Sequence, residues 1–145
     1  MLPDMRRTQL IWLAAALALA GCRKEPKRPF DPQPEQLLEN GVRSQRLREG
    51  RGAAAKKGDK ISVHFRGALL DGGVFDDSYA RGQPLAFWVG EGNVVPGLDR
   101  ALLGMQEGEV RRVTVPAEEA YGGDSKPGIP PNSTLVFEVE LLDIR

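Results

Sequence analysis

Two stretches of the chain place apolar residues at every second position, and they frame everything between them. Ile61, Val63 and Phe65 alternate with Ser62, His64 and Arg66, while Leu135, Phe137, Val139 and Leu141 share one period with Glu138 and Glu140 on the other. Successive strand side chains point to opposite faces, so each stretch predicts a half-buried strand. Val42 to Arg48, Val74 to Asp76, Leu85 to Val89 and Val110 to Pro116 read as further strands. Between them lie a turn over Gly50 to Gly58, another at Asp71-Gly72-Gly73, and a polar loop from Asp77 to Pro84. Leu98, Ala101, Leu102 and Met105 recur at helical spacing after Pro96-Gly97, which predicts a helix of about two turns over Gly97 to Leu103, closed by Gly104 and Gly108. Glu35 to Asn40 reads as a short helical turn. Short strands, one short helix and no βαβ alternation predict an α+β fold in which an antiparallel sheet curves over the helix.

The stretch from Ala120 to Ile144 joins a tyrosine, a stiff loop and the last strand. Gly128-Ile129-Pro130-Pro131 propagates neither a helix nor a central strand, because two prolines remove two donors and fix φ. Tyr121 sits at the base of that loop.

The 145 residues, 41% hydrophobic and 6% aromatic, suit one domain with one modest core. Lys+Arg and Asp+Glu each number 20, so no overall field points to nucleic acid as a partner. Arg43, Arg46, Arg48, Arg51, Lys56, Lys57 and Lys60 face only Glu49 and Asp59, and this local excess reads as a solvated surface. His64 is the sole histidine and points away from the apolar face, which makes it structural and argues against a metal site. There is no G-x-S-x-G, no phosphate loop and no Cys/His pair, so chemistry in this chain is non-covalent and needs no cofactor. The neighbouring carboxylates Asp76, Asp77 and Glu118, Glu119 form no convincing acid/base dyad and are assigned mostly to solvent.

Residues 1–21 read as a targeting segment. Arg6 and Arg7 precede the apolar run Leu10 to Ala20, too short to span a bilayer but suited to a signal-peptide core. Leu19-Ala20-Gly21-Cys22 resembles the lipobox of bacterial lipoproteins, which implies cleavage before Cys22 and its lipidation. Cys22 is the only cysteine, so an intrachain disulfide is excluded. Residues 22–36, charged and proline-rich with Phe30 as the one large apolar residue from Arg23 to Pro34, read as a semi-extended tether. The folded domain is expected over residues 37–145, held at the envelope membrane through Cys22, outside the cytoplasm and facing the periplasm.

From Val42 to Arg145 a series of short matches resembles the FKBP-type peptidyl-prolyl isomerases. They are Gly58-Asp59, Val63-His64-Phe65-Arg66-Gly67, Leu70-Asp71-Gly72, Val74-Phe75-Asp76-Asp77-Ser78, Val94-Val95-Pro96-Gly97-Leu98, Ala120-Tyr121-Gly122 and the terminal GIPPNSTLVFEVELLDI. Their order and spacing carry the resemblance. It implies a twisted antiparallel sheet wrapped around one short helix, an apolar pocket for a proline ring, and proline-containing polypeptide chains as partners, with macrolides as further ligands. By the same resemblance Phe75 and Phe87 form aromatic walls, Val94 and Val95 the lip, Leu98 the floor and Phe137 the inner wall. Tyr121 supplies a hydroxyl to a ligand carbonyl, Asp76 a carboxylate beside the ring, Ile129 a cover, and the Val95 N–H a further donor; the catalytic assignments fall on Asp76, Tyr121 and Phe87.

The chain departs from the family pattern at four places. Phe65 stands where many members have a tyrosine whose hydroxyl steadies the carboxylate at Asp76. Leu98 replaces a frequent tryptophan, Leu85 a frequent aromatic, and Lys126 lies where some members have histidine. Phe65 and Leu85 still belong to the expected substrate-binding set. These departures keep a second reading open, a binding module or holdase chaperone with little isomerase activity.

Overall fold

The computed structural model describes residues 29–145. The leader, Cys22 and the first part of the tether lie outside the described residues. In chain order the elements are β1 (Gln36–Leu37), β2 (Arg43–Arg48), β3 (Arg51–Ala54), β4 (Lys60–Leu69), β5 (Val74–Asp77), α1 (Ser78–Arg81), β6 (Leu85–Trp88), α2 (Pro96–Leu102), β7 (Gln106–Glu107), β8 (Val110–Val115) and β9 (Leu135–Ile144). Seven strands form one antiparallel sheet in the order β1-β2-β8-β9-β4-β5, with β6 also on β4, while β3 and β7 pair separately.

The two alternating stretches are the centre of that sheet. β4 and β9 pair from Leu69↔Leu135 to Ile61↔Ile144, and β8 pairs the other edge of β9 from Val115↔Leu135 to Val110↔Glu140. Directly opposed residues share a face. Phe65 beside Val139, and Val113 beside Phe137, therefore build one buried surface, and Leu98, Ala101 and Leu102 of α2 pack on it. The helix lies close because Gly97 has no side chain. A Cβ there would stand 2.6 Å from Val115 Cγ1 and 3.0 Å from Val42 Cγ2.

Pro96 opens α2 and Arg111 closes it. The Arg111 guanidinium, on the core-facing side of β8, donates to the carbonyls of Ala101 at 2.7 Å and Leu103 at 3.5 Å, satisfying two of the carbonyls orphaned at a helix end. Glu109, only 1% exposed, holds that guanidinium at 2.6 Å and accepts the Gln106 N–H at 2.9 Å. This buried pair is satisfied on both sides, which a buried charge requires.

The fold agrees with the α+β expectation, and the helix expected over Gly97 to Leu103 is α2. Four local expectations are corrected. The turn expected over Gly50 to Gly58 contains β3, whose four exposed residues carry no alternation to reveal it. The polar loop expected from Asp77 to Pro84 contains α1, one turn capped by the Asp77 carboxylate, which accepts from the N–H groups of Tyr79 and Ala80. The helical turn expected over Glu35 to Asn40 is β1 followed by a 3-10 turn, Glu39–Gly41. The last stretch of the expected tether is paired: the Asp31 N–H donates to Leu47 O at 2.9 Å and the Gln33 N–H to Arg46 O at 2.8 Å. The open edge of β2 offers carbonyls that need partners, and the adjoining segment supplies them.

In the basic stretch Arg43, Arg46, Arg51, Lys56 and Lys57 are exposed, whereas Lys60 is half-buried over the Trp88 ring and the Arg48 guanidinium lies 3.2 Å from Glu140 with side-chain exposures of 11% and 9%. Assignment of the neighbouring carboxylates to solvent also fails in part. Asp76 pairs with Arg81, Asp77 caps α1 and Glu119 pairs with Arg100, leaving Glu118 exposed.

Candidate functional site

The concave face of the sheet and α2 do not close completely. Between them, toward β5 and β6, lies a cavity of about 180 Å³. Phe65 of β4, Phe75 of β5, Phe87 of β6 and Phe137 of β9 form its aromatic wall. The Phe75 and Phe137 rings meet edge to face at 5.8 Å, and Phe65 lies 6.5 Å from Phe137. Edge-to-face pairing suits the ring quadrupoles and fixes the rings beyond what burial alone does. Gly67 makes room for the wall, since a Cβ there would stand 2.6 Å from Phe75 Cζ and 3.2 Å from Phe137 Cε1.

Leu98 and Leu102 contribute from the helix, Val94 and Val95 from the segment leading into it, and Leu85 from the start of β6. Val95 is the N-cap residue of α2, so its N–H belongs to the set that a helix start leaves without an intrahelical acceptor. The segment is held by a residue that sequence reasoning missed. Asp99 is 6% exposed, and its carboxylate accepts the Gly90 N–H at 2.7 Å and the Gly92 N–H at 3.0 Å. The two turns before the lip are thereby tied to the helix after it.

Tyr121 lines the cavity and is 37% exposed. It follows the 3-10 turn Ala117–Glu119, and the loop beyond it closes on itself. The Gly122 N–H donates to Ala117 O, the Asn132 N–H to Gly122 O, and Lys126 and Ile129 bond each other at 3.0 and 2.9 Å across Pro127-Gly128. Gly128 has φ 75°, as the third residue of a type II turn requires. The Lys126 ammonium stands 5.5 Å from the Tyr121 ring centroid.

The residues expected at the pocket therefore converge, with one exception: Ile129 is buried in the core cluster and does not line the cavity. Val63, Asn93, Leu102 and Val139 line it without having been expected there. Val63 and Val139 were legible only as core residues, and Asn93 carries no local signal of its position. Arg81 was also missed. Its guanidinium pairs with Asp76 and sits 5.9 Å from the Phe65 ring centroid. Where a tyrosine at position 65 would steady Asp76 with a hydroxyl, a cation over the phenylalanine face takes that place.

His64 is structural, as its outward position implied. Its Nδ1 lies 2.9 Å from Ser78 Oγ, which donates its single proton to Phe65 O at 3.2 Å and accepts the Phe65 N–H at 2.7 Å. Ser78 satisfies the β4 edge at Phe65, between its pairing with β6 through Val63 and with β5 from Arg66.

Comparison with known proteins agrees with this geometry. The model of the FKBP-type peptidyl-prolyl cis-trans isomerase family matches residues 52–142. FK506-binding protein 1A of Neurospora crassa is 45% identical over 108 residues, which cover 73% of this chain and 90% of that protein. The isomerase FkpA of Escherichia coli K12 is 45% identical over 105 residues, 72% of this chain and 38% of FkpA. FK506-binding protein 4 of N. crassa is 47% identical over 105 residues, and the chain spans only 22% of its length. Among solved structures, FkpA from E. coli superposes with a TM-score of 0.71 at 42% identity, covering 77% of this chain and 51% of that one. AtFKBP13 superposes with a TM-score of 0.70 at 34% identity, covering 78% of this chain and 100% of that one.

Proposed function

The chain belongs to the FKBP-type peptidyl-prolyl cis-trans isomerases, and from that premise we propose that its cavity takes the proline ring of X-Pro segments in envelope or secreted polypeptides and speeds their isomerisation. The make-up of the cavity carries this reading. Its walls are aromatic and aliphatic, and among the described residues its polar side chains come only from Asp76, Asn93 and Tyr121, with no Ser, Cys, His or Lys lining it.

Such a site suits a reaction in which no bond to the protein forms. Rotation about the peptide bond faces a barrier of about 18–20 kcal/mol because conjugation must be broken. The twisted amide is less dipolar than the planar one, so a dry apolar pocket disfavours the planar ground state more than the transition state. In this reading Phe75, Phe87, Leu98 and Phe137 exclude water, Tyr121 and the Val95 N–H hold the substrate chain, and Asp76 acts electrostatically on the rotating amide. Lowering the barrier by about 5 kcal/mol accelerates exchange by between three and four powers of ten. FK506-type macrolides are further ligands for the same cavity, with Leu85 and Leu98 setting how well they fit.

The leader pattern and the Leu19-Ala20-Gly21-Cys22 sequence support a lipid anchor at Cys22, which places the isomerase at the bacterial envelope membrane, facing the periplasm. Several acyl chains, each adding about 0.8 kcal/mol per buried CH₂, make such an anchor durable. Two measurements test the proposal. A protease-coupled assay on a proline peptide is expected to show turnover that a folded Phe87→Ala, Tyr121→Ala variant loses. Binding of unfolded chains without turnover would identify a holdase instead. Mass spectrometry of the membrane fraction is expected to find an acylated N-terminal Cys22, and an unmodified leader on the mature protein would remove the anchor from the proposal.

A further inference from the structure

Helix α1 is a single turn of four residues, too short to hold its own position. It straddles the exposed edge of β4 at His64 and Phe65, whose side chains point to opposite faces of the sheet. Tyr79 and Arg81 are two residues apart, about 200° around a helix, so they leave α1 on opposite sides. On the convex side the Tyr79 ring stacks on His64 at a centroid distance of 4.5 Å and an interplanar angle of 19°. Its hydroxyl donates to Glu140 Oε2 at 2.9 Å, and Glu140 is itself buried beside Arg48. On the cavity side Arg81 lies over Phe65 and pairs with Asp76.

We propose that Tyr79 is a positioning residue for the isomerase pocket: clamped on His64 and Glu140 behind the sheet, it fixes α1 so that Arg81 holds Asp76 against the cavity wall. The proposal rests on the isomerase reading of that cavity. Asp77 and Ser78 secure the start of α1, and the Gly82 and Gln83 N–H groups close its end on the Ser78 and Tyr79 carbonyls. The Tyr79 clamp adds the side-chain restraint from the far face that sets the tilt of this turn, and with it the place of Arg81. Tyr79 does not line the cavity, so in this proposal its effect reaches the reaction through Arg81.

A double-mutant cycle in the full chain separates this from a general effect on folding, with all activities measured well below each variant's melting temperature. Arg81→Met is expected to lower kcat/KM about fivefold and Tyr79→Ala about threefold, mainly through KM. In the Arg81→Met background, Tyr79→Ala is expected to change kcat/KM by less than about 1.5-fold, because the path it acts through is gone. Tyr79→Phe keeps the stack and is expected to restore roughly half or more of the activity lost in Tyr79→Ala. In nuclear magnetic resonance spectra the two Arg81 Nη groups are expected to be distinct in the wild-type chain and to average in Tyr79→Ala. Multiplicative effects in the cycle, or an Arg81 signal indifferent to Tyr79→Ala, overturn the proposal. Absence of turnover in the wild-type chain overturns the isomerase reading instead, and the Arg81 spectra still decide the clamp.

Discussion

Replacing Asp99 with alanine is the sharpest test of how the cavity lip is held. The carboxylate is 6% exposed and accepts two backbone N–H groups, from Gly90 at 2.7 Å and Gly92 at 3.0 Å. Hydrogen bonds to a charged group contribute about 1.5–3 kcal/mol each, and the alanine variant leaves both donors without this acceptor. Relief from burying a charge offsets part of that loss. The net destabilisation expected is about 2–4 kcal/mol, which for a domain of this size lowers Tm by roughly 10–15 °C. Asp99→Asn retains one acceptor oxygen but turns an NH₂ toward the other amide, so it is expected to recover less than half of the loss. The functional effect follows from the same bonds. With the turns at Gly90 and Gly92 released, Val94 and Val95 no longer present a fixed lip, and KM is expected to rise about tenfold while kcat changes less. Thermal melting by circular dichroism and the protease-coupled isomerisation assay, run well below the variant's Tm, read the two effects separately. An Asp99→Ala protein that melts within about 2 °C of the wild type and keeps its KM would refute the assignment of Asp99 as the brace of the lip.

Gly67→Ala sets a methyl group against the Phe75 ring, and such overpacking costs about 1–3 kcal/mol and displaces the ring; kcat/KM is expected to fall, and a variant of unchanged activity and raised Tm would show that the wall yields freely. The Tyr79 phenol is pushed well above its ordinary value, first by burial and then by its bond to Glu140 and that carboxylate's charge. A group with a raised folded pKa contributes stability below its unfolded value and loses it above. Denaturant titrations should therefore show wild-type stability falling as pH rises past about 10, and falling less steeply in Tyr79→Phe. Arg111→Met leaves Glu109 buried without its cation and the end of α2 uncapped, an expected loss of about 3–5 kcal/mol in chemical denaturation that Glu109→Gln in the same protein should partly reverse.

The chain itself determined strands β2, β4, β5, β6, β8 and β9 and helix α2, though not β1, β3, β7 or α1. Ile61, Val63 and Phe65, and Leu135, Phe137, Val139 and Leu141, carry their period within a few residues, and periodicity is a local property that no distant contact is needed to express. The resemblance added most of the cavity residues in their order along the chain. What it left out shares one physical character. Glu140 belongs by its period to the polar face of the last strand, and Asp99 and Glu109 carry no local signal at all, yet each is buried, because what covers a side chain is decided by elements far away in sequence. Arg81 and Tyr79 sit on one turn too short to show a helical period, and their meaning depends on Phe65, Asp76, His64 and Glu140 meeting at the edge of β4. Ile129, which the resemblance makes a cover for the ring, is buried in the core cluster where it and Lys126 exchange backbone hydrogen bonds at the close of their loop. Sequence thus determined which residues are apolar and at what period. Only the tertiary structure decided which charges lie inside and which partners hold them, since a charge leaves water only where folding brings its partner within hydrogen-bonding reach.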